Sequence, residues 1–209
     1  MKLRRKIYGA LLLFGIDPRM GMLAIRKLPV YFRAIREWKL QSLSSDDFPL
    51  GRFFPCLGDN GASSGTAKGH YFHQDLLVAR RIFENRPRKH VDVGSRVDGF
   101  VAHVACFRPT EVFDVRPLVS TVPNIRFVQG DLMAPLDDKM RGYCDSLSCL
   151  HALEHFGLGR YGDPLNANGH LLGLDNLHAM LAAAGKFYLS VPIGPQRVEF
   201  NAHRVFAVA

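Results

Sequence analysis

Beyond residue 70, short strand-like runs alternate with helix-like segments, and this alternation restricts the folds open to the chain. The helix-like segments carry apolar residues at helical spacing, whereas the strand-like runs are short and mostly apolar. The strand-like runs are 90–93, 111–115, 125–129, 146–150 and 186–191, and the helix-like segments are 71–83, 97–105 and 172–184. Strands that alternate with helices form a parallel sheet covered on both faces. We therefore expect an α/β fold with a doubly wound, Rossmann-like parallel sheet.

The length indicates a single domain, and the cysteines indicate a reducing environment. With 209 residues and 47% hydrophobic content, the chain can bury one core and carry a short appendage. Its four cysteines never show the C-x-x-C spacing of structural zinc sites, so they fit a reduced setting. We expect a cytoplasmic protein that binds no metal through cysteine.

The net charge of +8 is confined to the start of the chain. Residues 1–41 hold ten Lys or Arg against two acidic residues, which accounts for the whole excess. The remaining 168 residues carry 17 basic and 17 acidic side chains. A neutral main domain does not present the basic groove that nucleic-acid binding requires, so no nucleic-acid partner is expected.

Residues 1–41 are predicted to form a basic, amphipathic helical arm. The apolar stretch 7–16 follows basic residues as in a signal peptide, but Asp17-Pro18-Arg19 stands where small residues would mark cleavage. The stretch is also too short for a membrane span, which needs about twenty residues. A second basic and apolar stretch, 23–40, either lies on an anionic membrane, at its inner face, or packs on the domain or a partner subunit.

The rest of the chain divides into two parts. Residues 42–70 are rich in Ser, Asp, Gly and Pro and predict an irregular connector. Residues 71–209 form the predicted α/β domain. The oligomeric state does not follow from the sequence.

Acidic residues and a glycine follow the first three predicted strands. Asp92-Val93-Gly94 ends the first strand, and a glycine there allows a sharp turn and close approach to a ligand. Asp114 comes 22 residues after Asp92, near the spacing at which an acid reaches a ribose hydroxyl, and Asp131 ends the third strand. In open α/β sheets the ligand lies at the carboxyl ends of the strands. The acids therefore predict a nucleoside site, with ordinary caps or turn residues as the alternative.

These motifs, together with later ones, resemble a class I S-adenosylmethionine-dependent methyltransferase. More closely, the chain is similar to an uncharacterised methyltransferase-like family of bacteria and nematodes, known as a domain of unknown function. The resemblance covers about residues 50–209. Its motifs are Asp92-x-Gly94, Asp114, Gly130-Asp131 and the segments 148–155, 157–164, 177–181, 186–192 and 200–206.

The resemblance implies S-adenosylmethionine as cofactor and a small-molecule or glycan-like acceptor, in a context of cell-surface polysaccharide synthesis. It places the methionine portion, the ribose, the adenine and the sulfonium at four successive strand ends. In that order, the implied cofactor residues are Asp92, Gly94 and Ser95; Asp114 and Val115; Asp131 and Leu132; Leu150 and His151.

Two departures from the methyltransferase pattern leave alternatives open. Arg96 and Asp98 stand where that pattern has glycines, so we expect the turn to take another path, with Gly99 replacing one of them. Arg96 would hold a carboxylate or phosphate, or fill the pocket. If Arg96 and Asp98 disrupt the glycine turn, the chain is instead an inactive methyltransferase-like binding or scaffold protein. The chain also ends at Ala209, soon after the fifth strand, so the last two strands of a seven-stranded sheet are expected to be missing. A nicotinamide-binding fold is disfavoured because G-x-G-x-x-G is absent.

Histidines after the fourth strand are candidates for proton transfer. His151 to His155 fit the H-x-x-E-H zinc pattern, but the surrounding parallel sheet is not the context of zinc proteases, so no metal is expected. We predict His155 with Asp163 as a proton-accepting pair, with helix capping and loop shaping as the alternative. His203 and Arg204 would clamp an anionic acceptor or form a surface ion pair. The predicted acceptor-binding residues are Glu154, Arg160, Tyr161, His203 and Arg204.

Overall fold

The computed structural model describes residues 2–41, 50–59, 62–119 and 121–208. It consists of two compact units, Met1–Thr66 and Ala67–Ala209. The boundary falls within the predicted connector 42–70, of which residues 42–49, 60 and 61 lie outside the described residues. The two units are therefore described separately.

The first unit contains two helices, α1 (Lys2–Leu13) and α2 (Pro18–Gln41). None of the residues of α2 is buried, although Phe32 and other apolar side chains belong to it. Taken alone, neither helix has the length and apolar character needed to cross a membrane. The pair Lys6–Leu13 and Pro18–Gln41, bent by 81° at the break between them, meets that test only when the two are combined.

The second unit begins with a helix and then alternates strands with helical segments. Short helical turns, Val97–Val101, Asp138–Met140 and Leu153–His155, lie between the regular elements. The regular elements are α3 (His70–Asn85), β1 (His90–Val93), α4 (Ala102–Ala105), β2 (Thr110–Asp114), β3 (Ile125–Gln129), β4 (Cys144–Leu150), α5 (Gly169–Met180), β5 (Leu181–Ser190), β6 (Arg197–Glu199) and β7 (His203–Val205).

Five strands form one parallel sheet in the order β3-β2-β1-β4-β5. Val91 of β1 pairs with Glu111 on one side and with Leu147 on the other. The chain runs outward from β1 to β3 and then crosses back to β4, so the order of strands reverses between β1 and β4. This order is that of a doubly wound Rossmann-like sheet, as predicted.

Apolar side chains cover both faces of the sheet, which explains why the strands read as apolar runs. On one face, side chains of β1 and β4 pack against α5; on the other, side chains of β2 and β4 pack against α3 and α4. The first cluster includes Val91, Val93, Leu147, Cys149, Leu177 and Met180, and the second includes Ala79, Ile82, Val101, Val104, Val112 and Leu150.

Three local predictions differ from the structure. The helix predicted to continue to residue 184 ends at Met180, because Leu181 is already extended and the β4–β5 register shifts between Cys144 and Ser146. The helix predicted over 97–105 starts with a π-helical turn, because Gly99 is non-helical (φ −125°, ψ −110°). The sequence also gave no sign of β6 and β7, an antiparallel pair outside the main sheet.

Candidate active site

A cavity of about 1080 Å³ lies at the carboxyl ends of the strands, where the strand order reverses. This is the position at which open α/β sheets bind their ligands. Its volume is at the upper end of the range for ligand pockets, so it can hold a nucleoside and a second small molecule together. The segments after the strands that line it are 93–96, 113–116, 130–133, 150–152, 154–156 and 190–193.

The turn after β1 depends on Gly94. Its φ of 72° lies in the left-handed region, and a Cβ at this position would be 2.7 Å from the Ala152 Cβ. Arg96 has an ordinary extended backbone (φ −66°, ψ 126°), and its exposed guanidinium pairs with Asp98 at 2.9 Å. The turn therefore takes another path without backbone strain at Arg96. Ser95 and Arg96 both line the cavity.

Asp92 does not line the cavity, which corrects its predicted contact with the methionine portion. It is fully buried, and its carboxylate accepts hydrogen bonds from Ser95 N (3.0 Å), Ser95 Oγ (2.8 Å) and Ser148 Oγ (2.5 Å). Burial raises the pKa of Asp92 to about 6, although these hydrogen bonds act in the opposite direction. Asp92 thus stabilises the turn after β1 from the interior of the domain, and its buried carboxylate is not exposed to a ligand.

Asp114 faces the cavity from the end of β2, together with Val115. Its carboxylate accepts hydrogen bonds from Arg116, at 2.6 Å from the guanidinium and 2.8 Å from the backbone N–H. The guanidinium of Arg116 also lies 4.3 Å from the centre of the Tyr161 ring. A carboxylate has about four lone-pair directions, so Asp114 retains acceptor capacity for a hydroxyl. The sequence analysis missed Arg116, which orients this acid.

The loop after β3 brings Asp131 and Leu132 to the same cavity. Asp131 accepts a hydrogen bond from the backbone N–H of Met133 at 2.8 Å, and Leu132 is buried. The side-chain amide of Asn176, from α5, donates to the carbonyl of Leu132 at 2.7 Å. The loop is therefore held at the sheet edge by a helix 44 residues away in sequence.

Glu154 is the most unusual group of the cavity wall. It is only 2% exposed, its Oε1 lies 3.1 Å from His151 Nδ1 and 3.9 Å from His155 Nε2, and its Oε2 has no hydrogen-bond partner among the described residues. Burial raises the pKa of Glu154 to about 7 and lowers that of His155 to about 4. Glu154 is thus a carboxyl group that exchanges a proton near neutral pH.

His151 follows β4 with a left-handed backbone (φ 51°), which is strained for a residue that has a Cβ. Its backbone N–H donates to Ser190 O at 3.0 Å, which holds this conformation in place. Burial lowers the pKa of His151. Leu150, the residue before it, also lines the cavity, so both lie where the sequence predicted them.

The predicted pair of His155 and Asp163 does not form. His155 Nδ1 donates to the carbonyl of Ala202 at 2.6 Å. Asp163 instead accepts backbone N–H groups from Gly157 at 2.8 Å and Tyr161 at 3.1 Å, so it organises the loop that carries them. Both side chains line the cavity, but each is occupied by a loop contact.

Arg204 is also corrected, since it is neither at the cavity nor in a surface ion pair. It is buried, and its guanidinium donates to the carbonyls of Phe156 at 2.6 Å and Ala167 at 3.1 Å. Burial lowers the pKa of Arg204. Its neighbour His203 lines the cavity, as do Arg160 and Tyr161. The hairpin β6–β7 is thus the element that carries His203 to the site.

Helix α3 contributes a wall of the cavity. The rings of His70 and Tyr71 lie 5.0 and 4.8 Å from that of His151, and Asp75 also lines the cavity. Burial raises the pKa of Asp75 and of Tyr71. Asp75 precedes the buried Ala79 by one helical turn, and an acid on an otherwise apolar helix face was the signal available in the sequence.

No group of three His, Cys, Asp or Glu side chains with the geometry of a metal site occurs within the described ranges. The H-x-x-E-H segment, residues 151–155, belongs to these ranges, and its Glu154 carboxylate lies between the two histidines.

The strand order and the position of the cavity define a Rossmann-like α/β domain with a ligand site at its switch point. Residues 131–209 match the family described as "Caenorhabditis protein of unknown function, DUF268". This match confirms the predicted resemblance to a domain of unknown function, and it covers the carboxyl-terminal part of the chain. A search of curated proteins finds no match.

Two solved structures of methyltransferases are similar to 65% of the chain each. One is an amino pentose methyltransferase from Micromonospora echinaspora with S-adenosylmethionine bound (18% identity, TM-score 0.41). The other is 1,6-didemethyltoxoflavin-N1-methyltransferase from Burkholderia thailandensis with S-adenosylhomocysteine (16% identity, TM-score 0.43). The chain spans 55% and 60% of their lengths.

Proposed function

We propose that this protein is an S-adenosylmethionine-dependent methyltransferase that acts on a small-molecule acceptor. The observation that carries the proposal is the convergence of three strand ends on one cavity: the Gly94 turn, Asp114 and the pair Asp131-Leu132. A carboxylate after β2 suits the ribose hydroxyls, and the loop after β3 supplies an acid and an apolar surface for adenine.

The residues around the cavity fit this cofactor. The turn at Gly94 leaves no room for a Cβ beside Ala152, and both Gly94 and Ser95 line the cavity. When bound, S-adenosylmethionine supplies an electrophilic methyl group on a sulfonium. His151 lies at the end of β4, and the space beside it remains for the acceptor. Tyr71 of helix α3 lies beside that space, with its ring 4.8 Å from that of His151.

In this proposal Glu154 accepts the proton that the acceptor loses, in place of the His155–Asp163 pair. The Glu154 carboxylate would take the O–H or N–H proton that the acceptor loses, and the acceptor's oxygen or nitrogen would take the methyl group that the bound cofactor supplies as its methyl–sulfur bond breaks. A base is most effective when its pKa is near the working pH, which is the case for a pKa of about 7. His151, at 3.1 Å, holds the carboxylate in place.

The finer proposal is that the acceptor is glycan-like and belongs to cell-surface polysaccharide synthesis. Support comes from polar and aromatic side chains on the acceptor side, Arg160, Tyr161 and His203, a combination suited to a hydroxylated molecule. Incubation with methyl-labelled S-adenosylmethionine and a panel of nucleotide sugars or free sugars tests it. Transfer of label to other small molecules but to none of the sugars would reject the glycan assignment.

Calorimetric titration with S-adenosylmethionine, S-adenosylhomocysteine and NAD tests the main proposal. We expect binding of the first two and no binding of NAD. Asp114→Asn should weaken binding about tenfold or more, because one charged hydrogen bond is worth about 1.5 to 3 kcal/mol. The matched control is Asp138→Asn, at an exposed surface ion pair with Arg141.

Two results would contradict the proposal. The first is the absence of binding to either adenosyl compound by protein that is folded by circular dichroism, which would favour the inactive scaffold. The second is equal affinity of Asp114→Asn and Asp138→Asn, which would remove Asp114 from the site.

We also propose that residues 1–41 contact an anionic membrane surface at its cytoplasmic face. Support comes from α2, which buries no residue and carries exposed Arg33 and Arg36 beside exposed apolar side chains. Each basic residue near such a surface contributes about 1 kcal/mol. Arg33→Gln with Arg36→Gln should weaken binding to phosphatidylserine vesicles at least tenfold, whereas the control pair Arg80→Gln with Arg81→Gln should not. Equal binding by both variants would reject the proposal.

A further inference from the structure

We infer that the acceptor is an amine, held as an ammonium ion between Asp75 and Glu154, and that the methyl group is transferred to nitrogen. The inference rests on the proposed function and narrows its acceptor from any hydroxyl or amine to one class. It follows from which acidic side chains of the cavity already have ion-pair or hydrogen-bond partners.

Six acidic side chains line the cavity, and four of them already have partners that fix their charge. Asp98 and Asp114 pair with arginines at 2.9 and 2.6 Å. Asp131 and Asp163 accept backbone N–H groups at 2.8 Å each. The remaining acids of the described cavity wall, Asp75 and Glu154, have no Arg or Lys within ion-pair distance.

Asp75 and Glu154 approach the acceptor space from two different elements. Asp75 belongs to α3, and among the described residues its carboxylate accepts one long hydrogen bond, of 3.4 Å, from the Gln74 amide. Glu154 belongs to the segment after β4, is 98% buried, and has an oxygen without a hydrogen-bond partner among the described residues. A buried carboxylate without a partner is unfavourable, and a cation with several N–H donors removes that penalty.

The rings beside these acids suit a cation as well. Tyr71 and His70 lie within 5.0 Å of the His151 ring, and all three line the cavity. The faces of aromatic rings attract ammonium groups, so an ammonium ion there would have carboxylates and ring faces around it. A neutral His151 is required for this role, and burial lowers the pKa of His151.

The reaction balances with groups that the site and the proposed cofactor supply. The ammonium ion gives one N–H proton to the Glu154 carboxylate, which leaves a neutral amine with a free electron pair. That pair forms the N–C bond to the methyl carbon as the C–S bond breaks, and the sulfonium becomes a neutral thioether. The product is a methylated ammonium ion, so the positive charge passes from sulfur to nitrogen.

Binding of the ammonium ion should therefore displace protons from Glu154 and Asp75, whose pKa values burial raises. The other titratable groups that face Glu154 are His151 and His155 in its own segment, His203 from β7 and Arg160 from the following loop. Tyr71 faces it from α3. Affinity for an amine should rise about tenfold between pH 6 and pH 8, as Glu154 loses its proton, provided that the amine stays protonated.

The experiment uses the full chain saturated with S-adenosylhomocysteine and compares amines with their hydroxyl counterparts. The probe pairs are ethylamine and ethanol, cyclohexylamine and cyclohexanol, and glucosamine and glucose. Calorimetry at pH 7 in two buffers of different ionisation enthalpy measures both affinity and proton release. We expect at least one amine to bind tenfold or more tightly than its alcohol, with release of protons.

Variants separate a site for ammonium from a general effect of charge. Glu154→Gln and Asp75→Asn should each reduce the preference for the amine at least fivefold and reduce proton release, whereas Asp138→Asn should change neither. Retained binding of S-adenosylhomocysteine shows that a variant is folded at the site. The absence of any amine preference in the saturated protein overturns this inference alone, whereas the absence of S-adenosylhomocysteine binding overturns the proposed function.

Discussion

Glu154→Gln should make the protein more stable at high pH relative to the unsubstituted chain. The ordinary pKa of a Glu side chain is 4.5, and burial raises that of Glu154 to about 7 in the folded state. Between these values the folded state holds a proton that the unfolded state has lost, so stability falls as pH rises through the window. Glutamine has a similar shape and no charge to lose.

The size of the effect follows from the two pKa values. Each unit corresponds to about 1.4 kcal/mol, so full ionisation of Glu154 in the folded state costs about 3 kcal/mol. In the unfolded state the Glu154 carboxyl is already largely ionised at pH 5.5, so part of this cost is present at that pH. The expected change in the free energy of unfolding between pH 5.5 and 8.5 is therefore roughly 2 kcal/mol. The pKa of His155 is about 4 in the folded state and 6.5 ordinarily, so His155 affects stability at the lower end of this range. His155 and Asp92 are present in both proteins, so their contributions cancel in the difference.

Urea unfolding followed by far-UV circular dichroism measures the effect. The free energy of unfolding of Glu154→Gln, minus that of the unsubstituted chain, should rise by roughly 2 kcal/mol from pH 5.5 to 8.5. Glu84→Gln, at an exposed ion pair with Arg80, is the control and should give a constant difference. If the difference for Glu154→Gln is also constant within about 0.5 kcal/mol, Glu154 is not a buried carboxyl of raised pKa.

Two further substitutions test the framework of the site by thermal or urea unfolding. Gly94→Ala should destabilise the fold by about 2 kcal/mol or more, because of its left-handed φ and the 2.7 Å approach to Ala152, whereas Gly130→Ala, with no atom within 4 Å, should have little effect. An unchanged stability of Gly94→Ala would show that the turn does not need glycine. Arg204→Met should cost about 2 to 4 kcal/mol, since buried carbonyls lose their donor, and a loss below about 0.5 kcal/mol would contradict the structural role of Arg204.

The strands and their ends could be predicted from the sequence because the signal is local. A buried parallel strand is a short apolar run, and the residue that follows it faces the carboxyl edge of the sheet in any doubly wound fold. Asp114 and Asp131 therefore lie at the cavity, as expected. The same reasoning is wrong for Asp92, because Asp92 lies inside β1 and its side chain is buried in the core beside Ser148.

The acceptor side of the site was predicted less well because its partners are far apart in sequence. His155 and Asp163 are eight positions apart and were predicted to form a pair, but each forms hydrogen bonds with the backbone instead. His155 donates to the Ala202 carbonyl, and Asp163 accepts from the Gly157 N–H. Arginine is a residue type that commonly binds anions, and only the fold shows that Arg204 donates to carbonyls some 40 residues away in sequence. No local pattern distinguishes these outcomes.

The amino-acid sequence by itself determined the alternation of strands and helices, the glycine turn after β1 and the edge of the sheet at which a ligand would bind, since these depend on short-range periodicity and backbone preference. The tertiary structure alone decided which charged groups are buried and what they contact. Glu154 is an ordinary acid in the sequence, and its raised pKa and its buried oxygen without a hydrogen-bond partner among the described residues arise only in the folded chain. Burial and long-range contact set the chemistry of a side chain, and both are properties of the folded chain.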